Sequence, residues 1–170
     1  MVLSDVAPKD AQVKRYEDNN TTLSAYLSGQ VQYVATGNLV VNDGGDGYSA
    51  DWADWAEPRL IDANGAETKL TDLKWKSAQS GWGEGQRNAN AGGQPMRIAG
   101  NAVAYGIGTH ANSVIAYDLG DGSKYVRFKA RAGIDNGGSD QAHDSSVRFV
   151  VYADALPGAA RTCSEHLRCA

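Results

Sequence analysis

The sequence predicts an all-β sandwich preceded by a short β-α-β appendage. Three observations carry this expectation. Short runs rich in Val, Ile, Tyr and Phe recur at close spacing after residue 38. Two of these runs alternate apolar and polar residues with the period of a half-buried strand. Most of the 20 glycines fall between the runs, where turns need them.

Residues 1–38 read differently from the rest. "AQVKRYED" can form a strand. "NNTTLSAYLSGQ" opens with polar capping residues and carries Leu23, Tyr26 and Leu27 at helical spacing, with Gly29 as a C-cap, so a helix is expected there. "VQYVATGNLVVND" returns to β-rich sequence. A β-α-β unit of this length is too short to bury its own faces.

From residue 39 to about 156 the expected strands are "LVVND", "PRLIDA", "KLTDLKWKSAQS", "PMRIAG", "NAVAYGIGTH", "SVIAYDL", "KYVRFKARAGI" and "SVRFVVYAD". "YVRFKARA" sets Val126, Phe128, Ala130 and Ala132 on one face and Tyr125, Arg127, Lys129 and Arg131 on the other. In "VRFVVYAD", Phe149 and Val151 oppose Arg148, Val150 and Tyr152. The tail, residues 157–170, continues no strand pattern and reads as a short helix or as nothing ordered.

Composition narrows the function classes. A chain of 170 residues with 42% hydrophobic and 21% charged content forms one ordinary domain. The net charge of -4, with 16 basic residues spread along the chain, argues against nucleic acid as a partner. No apolar run approaches the roughly 20 residues of a membrane span. "MVLSDVAPKDAQ" lacks the basic start and apolar run of a signal peptide, so a cytoplasmic location is the expectation for the chain as read. Four Trp and eight Tyr against two Phe are an aromatic set suited to sugar rings wherever they reach the surface.

The pieces "DLKW", "SGWG", "GIGTHANS", "YDL", "AGIDN" and "VRFVVY" follow one another over residues 70–154. In that order and spacing they resemble the NPCBM family of carbohydrate-binding modules. "LVVNDGGDGYSADWADWAEPRL" resembles the closing strands of the same family, with Trp52 where a histidine is usual. These strands stand before the rest of the domain. The expectation is therefore a jelly-roll, galactose-binding-like sandwich that is effectively circularly permuted. Exchange of the strands between two chains, giving a homodimer, is the alternative. "KDAQVKRYEDNNTTLSAYLSGQVQYVATGN" resembles one β-α-β piece of a periplasmic amino-acid-binding protein of the solute-binding family, and the juxtaposition implies a chimera.

The NPCBM resemblance implies a galactose-type glycan ligand, a structural calcium ion and an extracellular or periplasmic setting. Trp82, between glycines, is the expected aromatic wall, with Glu84, Arg87 and Asn88 able to pair with hydroxyls. His110 and Asn112 in "GIGTHANS", with Asp135 and Asn136 in "GIDNGGSD", complete the expected carbohydrate site. Trp75 alternates with Leu73 and reads as core; Trp52 and Trp55 lie on opposite strand faces, so at most one should be buried. Asp43, Asp46, Asp51 and Asp54 are the candidate calcium ligands, joined by the Asp135, Asn136 and Asp140 loop, and plain turn-forming aspartates are the alternative. Cys163, His166 and Cys169, three apart in the tail, offer a second metal option for zinc.

No catalytic motif is legible: there is no GxSxG, HExxH, P-loop or GxGxxG leading into a helix. "GGDG" and "GIDNGG" read as turns without a following helix. Two alternatives to a binding module stand beside it. One is a metal-dependent hydrolase built on His110, or on His143 with Asp140 and Asp144. The other is an assembly module pairing through strand edges.

Overall fold

The alternating runs close into facing antiparallel sheets in the computed structural model, which describes residues 21–26, 36–120, 125–143 and 145–153. In chain order the strands are β1 (Thr21–Tyr26), β2 (Thr36–Asn42), β3 (Trp52–Asp62), β4 (Glu67–Lys69), β5 (Ser77–Gln79) and β6 (Gln86–Arg87). They continue with β7 (Arg97–Ile98), β8 (Asn101–Ala102), β9 (Gly106–His110), β10 (Ser113–Asp118), β11 (Tyr125–Ile134) and β12 (Arg148–Ala153). One sheet has the order β1-β11-β3-β9-β6, with β4 also on β3; the other is β12-β2-β10-β5, and β7 pairs with β8 alone.

The all-β sandwich expected from the sequence is therefore the fold. The strands read as displaced closing strands take central places: β2 lies between β12 and β10, and β3 between β11 and β9, all in one chain. "ADWA" and "PRLID", read as separate pieces, form a single strand of 11 residues. A bulge marks the join. Pairing steps from Lys129↔Arg59 to Arg131↔Ala56, so Glu57 and Pro58 together stand opposite Ala130 and β3 carries one extra residue. Proline, which has no N–H for the ladder, is tolerated at such an irregularity. Glu57 adopts φ 53, its N–H donates to the Tyr105 carbonyl at 3.0 Å, and its Oε1 receives Arg131 Nη2 at 2.9 Å.

Residues 21–26 correct one expectation. The helix expected over Leu23 and Tyr26 is, for Thr21–Tyr26, a strand registered on β11 from Thr21↔Ala132 to Tyr26↔Arg127. The physical reason is tertiary: the free edge of β11 offers this segment a ladder of backbone partners, and its Thr and Tyr residues suit a strand as well as a helix. Residues 1–20 and 27–35, with the remainder of the solute-binding resemblance, and the tail with Cys163, His166 and Cys169 lie outside the described residues.

The core fills the space between the sheets. Trp55, Phe128, Ile107 and Ala132 face Val41, Ile115, Tyr117, Phe149 and Val151. The fully buried Trp55 ring stands edge-on to Phe149 (centroids 4.9 Å apart, 84°) and to Phe128 (6.0 Å, 78°), an arrangement suited to the ring quadrupoles. Phe128, Ala130 and Ala132 turn inward as the alternation requires. Past the irregularity between Tyr125 and Arg127 it is Tyr125, expected to face outward with Val126 inward, that packs against the core, and Trp75 packs half-buried against it too. Among the described residues no helix is long and apolar enough to cross a membrane.

Candidate functional site

Strand parity creates the site. Ala53 and Trp55 enter the core, so Trp52, Asp54 and Ala56 project from the opposite face of β3. Their partners on β9 are His110, Gly108 and Gly106, while on β11 the residue opposite Asp54 is Gly133. This patch is consequently almost free of side chains, and a loop lies directly on it. A Cβ at Gly108 would stand 2.3 Å from the Ala89 carbonyl oxygen and 2.5 Å from Asn90 Cα. Asn88 N–H donates to the Gly106 carbonyl at 2.8 Å and its side-chain oxygen receives Gly106 N–H at 3.2 Å.

Asn90 organises the loop. Its Oδ1 accepts from the backbone of Gly92 (3.1 Å) and Gln94 (2.9 Å), and its Nδ2 donates to Asp135 Oδ1 at 2.8 Å. Asp135, itself buried, also accepts from Gly137 N–H at 2.7 Å and, on Oδ2, from Arg97 N–H at 2.7 Å. It caps a single helical turn, α1 (Asn136–Ser139), where the sequence reading expected no helix after "GIDNGG". An Asp side chain that bonds the backbone two residues on favours such a turn. Asn136 joins the same cluster, accepting from Gly100 N–H at 2.8 Å and donating to Asp140 at 2.9 Å.

Asp54 lies beneath this junction against Asp135. Burial first, and Asp135 second, push its carboxyl far above the usual carboxylate range. Neither Asp54 oxygen receives a hydrogen-bond donor, so this dry place beside Asp135 favours the neutral acid. This separates Asp54 from the other three candidate calcium ligands. Asp51 is buried, accepts Ser146 N–H at 3.1 Å on Oδ1, and has no partner on Oδ2. Desolvation, with Asp46 and Asp43 adding to it, raises its carboxyl to about 7. Asp46 Oδ2 receives the Ser146 hydroxyl at 2.7 Å, and Asp43 is bonded both ways to Asn112. Among the described residues no three His, Cys, Asp or Glu side chains are grouped as a ready-made metal site.

Above the loop runs an aromatic crest. Trp82, 54% exposed, stacks on Trp52 with centroids 5.7 Å apart and planes at 21°. Trp52 in turn rests on glycine: a Cβ at Gly137 would come within 2.6 Å of its ring, and one at Gly92 within 2.5 Å. His110 meets Trp82 edge-on at 6.1 Å and Tyr48 at 6.3 Å. Its Nδ1–H donates to the Ala111 carbonyl at 2.7 Å, which fixes the ring. Beside the crest is an open cleft of about 600 Å³ whose lining includes Trp52, Gln94, Arg97, Asn136, Asp140 and Gln141.

The structure thus brings Trp82 next to His110, and Asp135 next to Asn136, with Trp52 bordering both pairs. It places the other expected site residues elsewhere. The Arg87 guanidinium sits 4.0 Å over the Trp75 ring, Asn112 belongs to the Asp43 loop, and Glu84 is exposed on the loop after Trp82. His143 is exposed, and Asp144 lies outside the described residues. Tyr48, Gln94, Arg97 and Gln141 escaped the sequence reading. The density of Asn and Gly in "RNANAGGQ" was the available signal for a tight loop, and the Gly106, Gly108, His110 alternation for the bare face beneath it.

Residues 66–166 match the NPCBM/NEW2 domain. No curated protein and no solved structure matches this chain. Strands β2 and β3 precede the matched span, although they complete the sheets built from it.

Proposed function

The chain belongs to the NPCBM/NEW2 domain family of carbohydrate-binding modules, and we propose that it holds a terminal, galactose-type sugar without acting on it chemically. The observation that carries the reading is the half-exposed Trp82 ring, backed by Trp52, at the margin of a polar cleft. A pyranose presents an apolar C–H face and a rim of hydroxyls, so it needs an aromatic wall together with convergent donors and acceptors. Arg97, Gln94 and Gln141 can donate to hydroxyls, and Asp140 and Asn136 can accept from them.

Calcium assistance is part of the proposal. What supports it is the buried Asp51 Oδ2, left without a hydrogen bond close to Asp43 and Asp46. Calcium draws six to eight oxygens, so these three carboxylates would hold it together with main-chain carbonyls and water. Bound there, the ion would supply positive charge that tethers the 43–51 loop.

A glycan array run with calcium and again with chelator tests both statements. Calcium-dependent binding to galactose-terminated glycans is the expected result. Silence on every glycan would sink the binding reading, and binding that ignores chelator would remove calcium from it.

A further inference from the structure

We infer that the ligand is an oligosaccharide chain, which fills the polar cleft with one sugar and continues across the aromatic crest as far as Tyr48. The inference rests on the carbohydrate reading above and extends it. Trp52 lines the cleft and also stacks on Trp82, so cleft and crest are one continuous surface. Trp82 stacks on Trp52 at 5.7 Å, and Trp82 and Tyr48 both meet the buried His110 ring edge-on, at 6.1 and 6.3 Å, so His110 spaces the two exposed rings from beneath without itself facing a ligand.

Tyr48 and Trp82 are the large hydrophobic residues left exposed among the described residues, at 63% and 54%. Both stand on this one crest, which makes it an apolar patch of the kind that marks a binding surface. The crest is also held in place. Ser80 Oγ donates to the Trp82 carbonyl at 2.8 Å and receives His110 N–H at 3.1 Å, while Gly81 N–H donates to the His110 carbonyl at 3.1 Å. Two exposed rings already held at a fixed spacing cost little ordering entropy when a ligand lies across them. The cleft volume of about 600 Å³ falls in the range of small-ligand pockets and leaves room for the first ring and its link to the next. A sugar chain, with one apolar face per ring and hydroxyls at every edge, matches both parts of this surface. A second copy of the protein would match the crest but leave the polar cleft unused.

The test is isothermal titration calorimetry of the full chain against ladders of linear galacto-, gluco-, manno- and xylo-oligosaccharides, from one ring to six. In the responding ladder, affinity should rise by about threefold to tenfold for each ring that reaches a further aromatic residue, then level off. Tyr48→Ala and Trp82→Ala should reduce the ratio of tetrasaccharide to monosaccharide affinity towards one. Tyr48→Phe should keep that ratio. Both positions are exposed, so unchanged thermal midpoints will show that the variants fold. A flat ladder in the unaltered chain overturns the inference and leaves the carbohydrate reading standing, whereas silence on every ladder overturns both. A flat ladder with a dimer in light scattering that Trp82→Ala dissolves assigns the crest to a second copy, and overturns it too.

Discussion

The carboxyl of Asp54 lies buried against Asp135, and the cross-strand neighbours of Asp54 on both sides are glycines, Gly108 and Gly133. The bare backbone lets the Asn90 loop descend onto the sheet until Asn90, Arg97 and Gly137 all donate to Asp135. Asp54 lies buried under that junction with neither oxygen receiving a donor, which favours its neutral form.

This arrangement predicts a stability that falls with pH. The folded-state value for Asp54 is raised from 3.8 to about 10, so the native protein holds a proton that the unfolded chain releases. Its contribution is fully present below about pH 4 and is lost progressively as pH rises towards 10. Asp54→Asn keeps a neutral side chain there at every pH. It should flatten the decline and be more stable than the unaltered protein by about 2–5 kcal/mol at pH 8. Urea midpoints between pH 5 and 9.5 measure this; parallel slopes for the two proteins would show that Asp54 does not carry the proton.

Calcium should act at Asp51 and leave Asp54 alone. Added calcium should raise the thermal midpoint and chelator lower it, by about 2.7 kcal/mol of stability at a hundredfold excess over the dissociation constant. Asp51→Asn should abolish the response, and Asp54→Asn should retain it. A response that survives Asp51→Asn would place any ion elsewhere.

Trp52 supports Trp82 because Gly137 and Gly92 both leave room for its ring. A methyl group at Gly137 would meet the Trp52 ring at 2.6 Å, so Gly137→Ala should displace that ring and destabilise the fold by about 1–3 kcal/mol. With its backing shifted, Trp82 should also change its intrinsic fluorescence. Chemical denaturation together with emission spectra of Gly137→Ala and the unaltered chain checks both effects. An unchanged spectrum would mean that the stack does not depend on this contact.

Trp55 is the keystone between the sheets, touching Phe128 on one and Phe149 on the other. Trp55→Ala should cost about 3–5 kcal/mol. Trp55→Phe should cost less, because it also removes the buried Nε1 that has no hydrogen-bond partner. Equilibrium unfolding of the two variants gives the order, and equal losses would contradict it.

Much of this architecture is legible along the chain because a strand's period is local. The alternation in residues 125–132 is enough to place Phe128 inside and Lys129 outside, and parity alone says that Trp52 and Trp55 cannot both enter the core. Trp82 between two glycines already reads as an exposed ring, and Asp135 as the start of a polar loop. The helix expected at Leu23 and Tyr26 shows the limit of such reasoning. Local spacing there favours a helix, and the open edge of β11 makes the segment a strand.

The sequence by itself determined the fold class, the family over residues 66–166 and the inward or outward sense of most strand residues. These depend on period, glycine placement and motif order, which neighbours in the chain define. Only the tertiary structure decided that Trp82 would stack on Trp52, that His110 would stand between Trp82 and Tyr48, and that Asp54 would meet Asp135 instead of joining Asp51. Each of those meetings depends on the register between strands far apart in sequence. A shift of one residue would turn every side chain of a strand to the opposite face.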